Sequence, residues 1–254
     1  MKNIHMVVTD LDGTFLRTDK TVSDYTLETI NRLHQKGILF VVATARPVRS
    51  VKEVLHNLPL DGGIYHNGAV VHDCGTQIDG TGIEQAVELC NRILADRPCC
   101  HISVESEDVL YANFDAGTIW PNIDYVPTPD FRELQGKLVD KIILEAFSLE
   151  EMEGYRRYLS DDLYLLLSEN RIAMIMNKKA SKSGGIRLLA QRHRISLDQV
   201  VAFGDDYNDI DMLRTCGIGV AVANGLEPVK EAADEICGNN DEDGVAHWLA
   251  SNIE

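Results

Sequence analysis

The sequence predicts an α/β protein: a mostly parallel sheet with helices on both faces, interrupted by an inserted α+β segment. Three observations carry this. Short, uninterrupted β-favouring runs such as Ile38–Ala43 and Val200–Phe203 alternate with helix-period segments at both ends of the chain. Between residues 82 and 178 the pattern changes to polar-alternating strands with few helices. The length, 254 residues, is at the upper edge of what one hydrophobic core supports, so one large domain and two smaller ones are both open.

Taken in order, Ile4 to Thr9 reads as a compact strand ending at Asp10. A helix follows from about Ser23, with Leu27, Ile30 and Leu33 on one face and Gly37 as its stop. Ile38 to Ala43 is a strand covered on both faces. Pro47 suits the first position of the next helix, whose apolar stripe is Val48, Val51, Val54, Leu55 and Leu58. Gly63 to His66 and Ala69 to Val71 are short strands. The insert opens with a helix, Glu84 to Ala95, and continues with strands at His101 to Glu105, Val109 to Phe114, Leu138 to Glu145, Leu163 to Ser168 and Ile172 to Met176. A helix near Glu150 to Leu159 lies among them. The first pattern then returns: helix Lys182 to Arg192, strand Val200 to Phe203, helix Asp209 to Arg214, strand Gly219 to Val222, and closing helices around Pro228 to Asp234 and Gly244 to Ala250. The joints are Asp79-Gly80-Thr81-Gly82 and Asn177-Lys178-Lys179-Ala180-Ser181, which divides the chain into a discontinuous core, 1–81 with 179–254, and an insert, 82–178.

Charge narrows the function. With 24 basic and 40 acidic residues the net charge is −16, a surface that repels nucleic-acid backbones and anionic lipid. An anionic substrate would need local positive charge, and a divalent cation is the simplest source. No stretch approaches 18 apolar residues and the apolar run after Met1 is too short for a signal peptide, so a cytoplasmic protein is expected. The six cysteines form no C-x-x-C pair and read as small hydrophobes in a reducing compartment. The eight histidines show no metal-ligand spacing, and no Walker-type glycine loop is present.

Asp10-Leu11-Asp12-Gly13-Thr14 stands at the carboxyl end of the first strand, the edge at which open α/β sheets bind ligands. Alone, Asp and Gly there could simply make a turn. Gly204-Asp205-Asp206-Tyr207-Asn208-Asp209 follows a second buried strand, and alone could be a helix cap. Two such clusters at two strand ends are harder to read as coincidence. Carboxylates with an Asn, an oxygen-only donor set, suit octahedral Mg2+ rather than zinc. Thr44, ending the Ile38–Ala43 strand, offers a hydroxyl and neighbouring N–H groups, and Lys182, starting a helix, a compact positive charge. Singly, a strand-end Thr is usually a cap and a Lys usually solvated.

In this order and spacing the four stretches resemble the haloacid dehalogenase (HAD) superfamily, and within it the Cof-type sugar-phosphatase branch with its large α+β cap. Asn67-Gly68-Ala69, Gly219-Val220-Ala221-Val222-Ala223-Asn224 and Asn240-Asp241-Glu242-Asp243-Gly244-Val245-Ala246 fit that branch too. The resemblance spans the core and constrains the insert mainly by size and position. It implies a Rossmann-like parallel-sheet core with an inserted cap domain, and a phosphatase acting on a small phosphorylated metabolite, a hexose or related sugar phosphate. It implies Asp10 as the nucleophile that forms an aspartyl phosphate, and Asp12 as general acid, then base. Mg2+ would be held by Asp10, the Asp12 carbonyl and Asp205, with Asn208 and Asp209 direct or one layer out. Thr44 and Lys182 would bind phosphoryl oxygens, and Arg46 and Asn67 would face the substrate, although Arg46 could equally be a salt-bridge partner. In the branch the last cap strand usually ends in an acidic residue and proline; here it reads Met174-Ile175-Met176-Asn177. A sugar phosphomutase and a non-catalytic phospho-sugar sensor are the rival readings on the same fold. A monomer or weak homodimer is expected, with no nucleic-acid or membrane partner.

Overall fold

In a computed structural model, which describes residues 3–168 and 171–253, the apolar runs from both ends of the chain become neighbours in one sheet. Residues 1, 2 and 254 of the expected core lie outside the described residues. The strand order is Glu235–Cys237, Ile218–Val222, Val200–Gly204, Met6–Thr9, Leu39–Ala43, Gly62–Tyr65, Val70–Asp73, Thr76–Gly80. The first six strands are mutually parallel and Val70–Asp73 turns back antiparallel. Met6–Thr9 is buried along its whole length because both faces are covered: Val7 belongs to one apolar cluster, Met6 and Val8 to the other. Ile30 and Leu33 of the helix Asp24–Gln35 close the first face; Ile186 and Leu189 of the helix Lys182–His193 close the second.

This topology fixes where a ligand can sit. From Met6–Thr9 the chain adds strands to one side, Leu39–Ala43 then Gly62–Tyr65. After the insert it returns on the other side, as Val200–Gly204. The order therefore reverses between Met6–Thr9 and Val200–Gly204, and the crevice outside their carboxyl ends is the expected site of an open α/β sheet. Asp10 and Asp205 are the residues that follow those two strands.

The chain forms two compact units, one from Met1–Asp79 and Ser181–Glu254, the other from Gly80–Ala180. The second has its own six-stranded sheet, ordered Leu163–Ser168, Ile172–Asn177, Lys141–Glu145, Ile102–Ser106, Val109–Ala112, Val126–Pro127 and antiparallel except for the last pair. The helices Ala86–Asp96 and Leu149–Glu153 pack on Ile102, Val104, Ile142, Leu144, Ala173 and Ile175 as a separate core.

Three details differ from the sequence expectation. The single helix over Glu150 to Leu159 is a short helix, Leu149–Glu153, followed by a 3-10 turn, Arg156–Tyr158, because Gly154 closes the first segment. Pro47 is the N-cap of Val48–Val54 rather than its first turn, since its ψ of 161° is extended. Thr76–Gly80, Val126–Pro127 and Glu235–Cys237 are additional edge strands. Three of the six cysteines are buried, Cys90, Cys216 and Cys237, while Cys74 and Cys99 are exposed. Among the described residues no helix is long and apolar enough to cross a membrane.

Candidate active site

The crevice brings three carboxylates together: one oxygen each of Asp10, Asp205 and Asp209 lie within 4.8 Å of one another. Asp10 extends the first strand, its N–H still donating to the Phe203 carbonyl at 3.0 Å. Asp205 follows the neighbouring strand, and Thr14 Oγ1 donates to its Oδ1 at 2.6 Å. Gly13 allows this approach. Its φ is +81°, and a Cβ there would come within 2.6 Å of the Asp205 carboxylate. Asp209 is fully buried; its Oδ2 accepts the backbone N–H groups of Asp205 and Asp206 at 3.0 and 3.1 Å, closing the loop on itself.

Lys182 enters this acidic set from the helix it begins. Ser181 caps that helix, its Oγ accepting the Gly184 N–H, so the Lys182 stem is fixed from its first residue. Its Nζ lies 2.6 Å from Asp10 Oδ1 and 2.6 Å from Asp209 Oδ1, with the Lys182 side chain 1% exposed. Burial alone would lower the ammonium's pKa, but Asp10 and Asp209 raise it above its ordinary value. Asp10 is pushed well above the usual carboxylate range, first by burial and then by Asp209 and Asp205, with Lys182 opposing. Asp205 is pushed up to about 6, by burial first and then by Asp209 and Asp206.

Asp12 has different surroundings. Arg46 forks onto it, Nε to Oδ2 at 2.6 Å and Nη2 to Oδ1 at 2.7 Å, and Lys20 Nζ reaches Oδ1 at 2.7 Å. Burial would raise this carboxyl, yet the hydrogen bonds from Arg46 and Lys20 outweigh it and bring the pKa down to about 2. Thr44 is buried at the end of its strand, and its Oγ1 accepts the Arg46 N–H at 3.1 Å.

A left-handed loop ties these parts together. His66, Asn67 and Gly68 have φ of +48°, +54° and +105°. The His66 N–H donates to the Arg46 carbonyl and the Asn67 N–H to the Thr44 carbonyl. The Asn67 side-chain oxygen accepts from Asn208 Nδ2 at 3.1 Å, and a Cβ on Gly68 would meet the Ser181 carbonyl at 2.2 Å. Thus Asn67 and Asn208 meet each other, Arg46 meets Asp12 and the Thr44 hydroxyl, and Lys182 joins Asp10 and Asp209 beside Asp205. Sequence reasoning assigned no part to Thr14, Lys20, Asn224 or Asn240. Asn224 Nδ2 donates to the Gly13 carbonyl at 2.7 Å and its Oδ1 accepts the Asn240 N–H, so the two asparagines brace the Asp12-Gly13 turn. Both asparagines lie in stretches already singled out, which was the signal available for them.

The family model described as haloacid dehalogenase-like hydrolase matches residues 7–249. The chain belongs to this family. Within it the protein is a HAD-like phosphatase of the Cof type, with a HAD-fold parallel-sheet core. This phosphatase is 31% identical over 265 positions, 96% of either chain, to 5-amino-6-(5-phospho-D-ribitylamino)uracil phosphatase YitU of Bacillus subtilis (strain 168). The HAD subclass IIB sugar phosphatase BT4131 superposes with a TM-score of 0.83 at 25% identity, covering 97% of this chain and 98% of that one. A haloacid dehalogenase-like hydrolase from B. subtilis superposes with a TM-score of 0.85 at 26% identity, covering 98% and 100%.

Proposed function

We propose that this phosphatase is a Mg2+-dependent cytoplasmic enzyme that hydrolyses a sugar phosphate through an aspartyl phosphate on Asp10, with residues 80–180 serving as its cap. The observation that carries the reading is the Lys182 ammonium set between Asp10 and Asp209 in a buried carboxylate cluster. The substrate class rests on two relatives' names, YitU for a phosphorylated ribityl compound and BT4131 for a sugar phosphatase.

The donor set fits Mg2+. It is oxygen-only, and one lysine inside it leaves three carboxylates undercompensated. Asp10, the Asp12 carbonyl and Asp205 would hold the ion. Asp209 has both oxygens committed, to Lys182 and to two backbone N–H groups, and Asn208 is engaged with Asn67, which suits both to orienting the first ligands. When bound, Mg2+ supplies charge neutralisation between the Asp10 carboxylate and the incoming phosphoryl oxygens.

The chain's own residues carry the reaction. An Asp10 oxygen attacks phosphorus as the ester P–O bond breaks, and Asp12, which Arg46 and Lys20 hold ionised in the free protein and which must first take up a proton, gives that proton to the leaving alkoxide. Asp12, now a carboxylate, takes a proton from water, whose oxygen attacks phosphorus, releasing phosphate and freeing Asp10. Lys182 and the Thr44 hydroxyl hold phosphoryl oxygens against the charge that develops. Arg46 sets the Asp12 carboxylate and meets the leaving group, and Asn67 holds the loop against Asn208.

Phosphate release from a panel of sugar phosphates, nucleotides and aryl phosphates tests this. Release that needs Mg2+ and is lost in Asp10→Asn is expected. No release from any member by folded enzyme with Mg2+ would overturn it and turn attention to phosphoryl transfer between sugar hydroxyls.

A further inference from the structure

Asp12 is held by more than Arg46. Arg46 gives one N–H to each carboxylate oxygen, and Lys20 adds a third bond, from Nζ to Oδ1 at 2.7 Å. A carboxylate has about four lone-pair sites. Among the described residues Oδ1 therefore accepts two donors and Oδ2 one, which leaves the open site on Oδ2. Stability is a poor reason for the third bond, because the Lys20 side chain is 51% exposed and an ion pair so close to water contributes little.

The chain nevertheless spends backbone conformation on placing it. Lys20 has a φ of +67°, in the left-handed region that a residue with a Cβ rarely adopts. It closes a tight loop, in which its N–H donates to the Arg17 carbonyl at 2.8 Å and the Arg17 N–H donates to the Thr21 carbonyl at 3.1 Å. That loop is tied to the far end of the sequence. Arg17 forks onto Asp243, Nε to Oδ1 at 3.2 Å and Nη2 to Oδ2 at 2.7 Å. Thr18 gives its N–H and its hydroxyl to the two oxygens of Asp241, at 2.7 and 2.8 Å. The stretch Asn240–Ala246 takes no part in the reaction described above, yet its two aspartates fix the loop that carries Lys20. All these residues belong to one compact unit.

We propose that Lys20 is a positioning residue for Asp12, and that Asp241 and Asp243 act on the reaction through it. The step concerned is the breakdown of the aspartyl phosphate. There Asp12 works as a carboxylate, the form that accepts all three bonds, and filling Oδ1 leaves Oδ2 to take the proton from water. This rests on the phosphatase reading above.

The test is a single turnover of p-nitrophenyl phosphate with Mg2+ and excess enzyme. Nitrophenolate then reports formation of the adduct, which needs no proton from Asp12, and inorganic phosphate reports its breakdown. In Lys20→Ala the nitrophenolate rate constant is expected to stay within about twofold of wild type, while phosphate release slows about tenfold. Lys20→Arg restores most of that loss, and the Tm of Lys20→Ala stays close to wild type. Asp241→Ala slows phosphate release about threefold, and adds nothing further in the Lys20→Ala background. Two rates that fall together in Lys20→Ala, no change in either, or losses from Asp241→Ala and Lys20→Ala that multiply would each overturn the proposal. Wild-type enzyme that yields neither product strikes the phosphatase reading itself, and this one with it.

Discussion

At the residue scale the site is a problem of excess negative charge, and Lys182 is its internal answer. Two carboxylates share one buried ammonium. Replacing it by methionine removes the cation and leaves both acids buried. Lys182→Met is therefore expected to cost about 3–5 kcal/mol of stability by denaturant titration, in addition to its loss of phosphate release. Asp205 gives a pH signature. Its pKa is raised by burial from 3.8 to about 6, so the folded protein binds that proton more tightly than the unfolded chain. The stability it contributes is full below 3.8 and is lost as pH rises through about 6. Added Mg2+ needs the deprotonated carboxylate, so the Tm gain from Mg2+ is expected to grow across that window; a gain independent of pH would contradict this. Of these residues, Asp10, Asp12, Asp205 and Asp209 were legible because they fall in two short carboxylate clusters, each following an apolar run. The partners of Asp12 were not. Arg46 is 34 positions away and Lys20 only 8, but neither period nor propensity says that both turn toward one carboxylate.

At the element scale, what aligns the site is the set of short connections after parallel strands. The His66–Gly68 turn links the Thr44 strand end, Asn208 and the start of the Lys182 helix through backbone that only small or turn-forming residues adopt readily. Gly68→Ala places a methyl against the Ser181 backbone and strains a φ of +105°. It is expected to lower stability by about 1–3 kcal/mol and to reduce kcat, because the helix carrying Lys182 must shift. Stability loss with kcat unaffected would detach this turn from the chemistry. Removing only the cap, with Ser181→Ala, is expected to cost about 1 kcal/mol, read from thermal melts. The buried strands and long helices were readable from apolar periodicity. The edge strands were not, since Thr76–Gly80 is mostly exposed and Val126–Pro127 is two exposed residues, leaving no burial pattern to detect. The meeting of Asn67 with Asn208, 141 residues apart, is a product of strand order and could not be seen in either stretch alone.

At the scale of the whole molecule, the chain forms two compact units, and the proposed Mg2+ donors all belong to one of them. Scanning calorimetry is expected to resolve two transitions, of which Mg2+ raises that of the unit containing Asp10. Ile142, fully buried in the second core, reports on the other: Ile142→Ala is expected to lower its transition by about 2–5 kcal/mol. A single transition moved equally by Mg2+ and by Ile142→Ala would show that the cores melt as one. The change from buried runs to polar-alternating strands made the second core legible. The central claim is covalent, and it can be read directly. An aryl phosphate has a leaving group that needs no proton, whereas in the proposed mechanism release of phosphate from Asp10 still needs the Asp12 base. Asp12→Ala incubated with Mg2+ and an aryl phosphate, then quenched in acid, is therefore expected to carry a phosphoryl adduct that mass spectrometry places on Asp10. Turnover by that variant with no adduct, or with the adduct on another residue, would contradict the account.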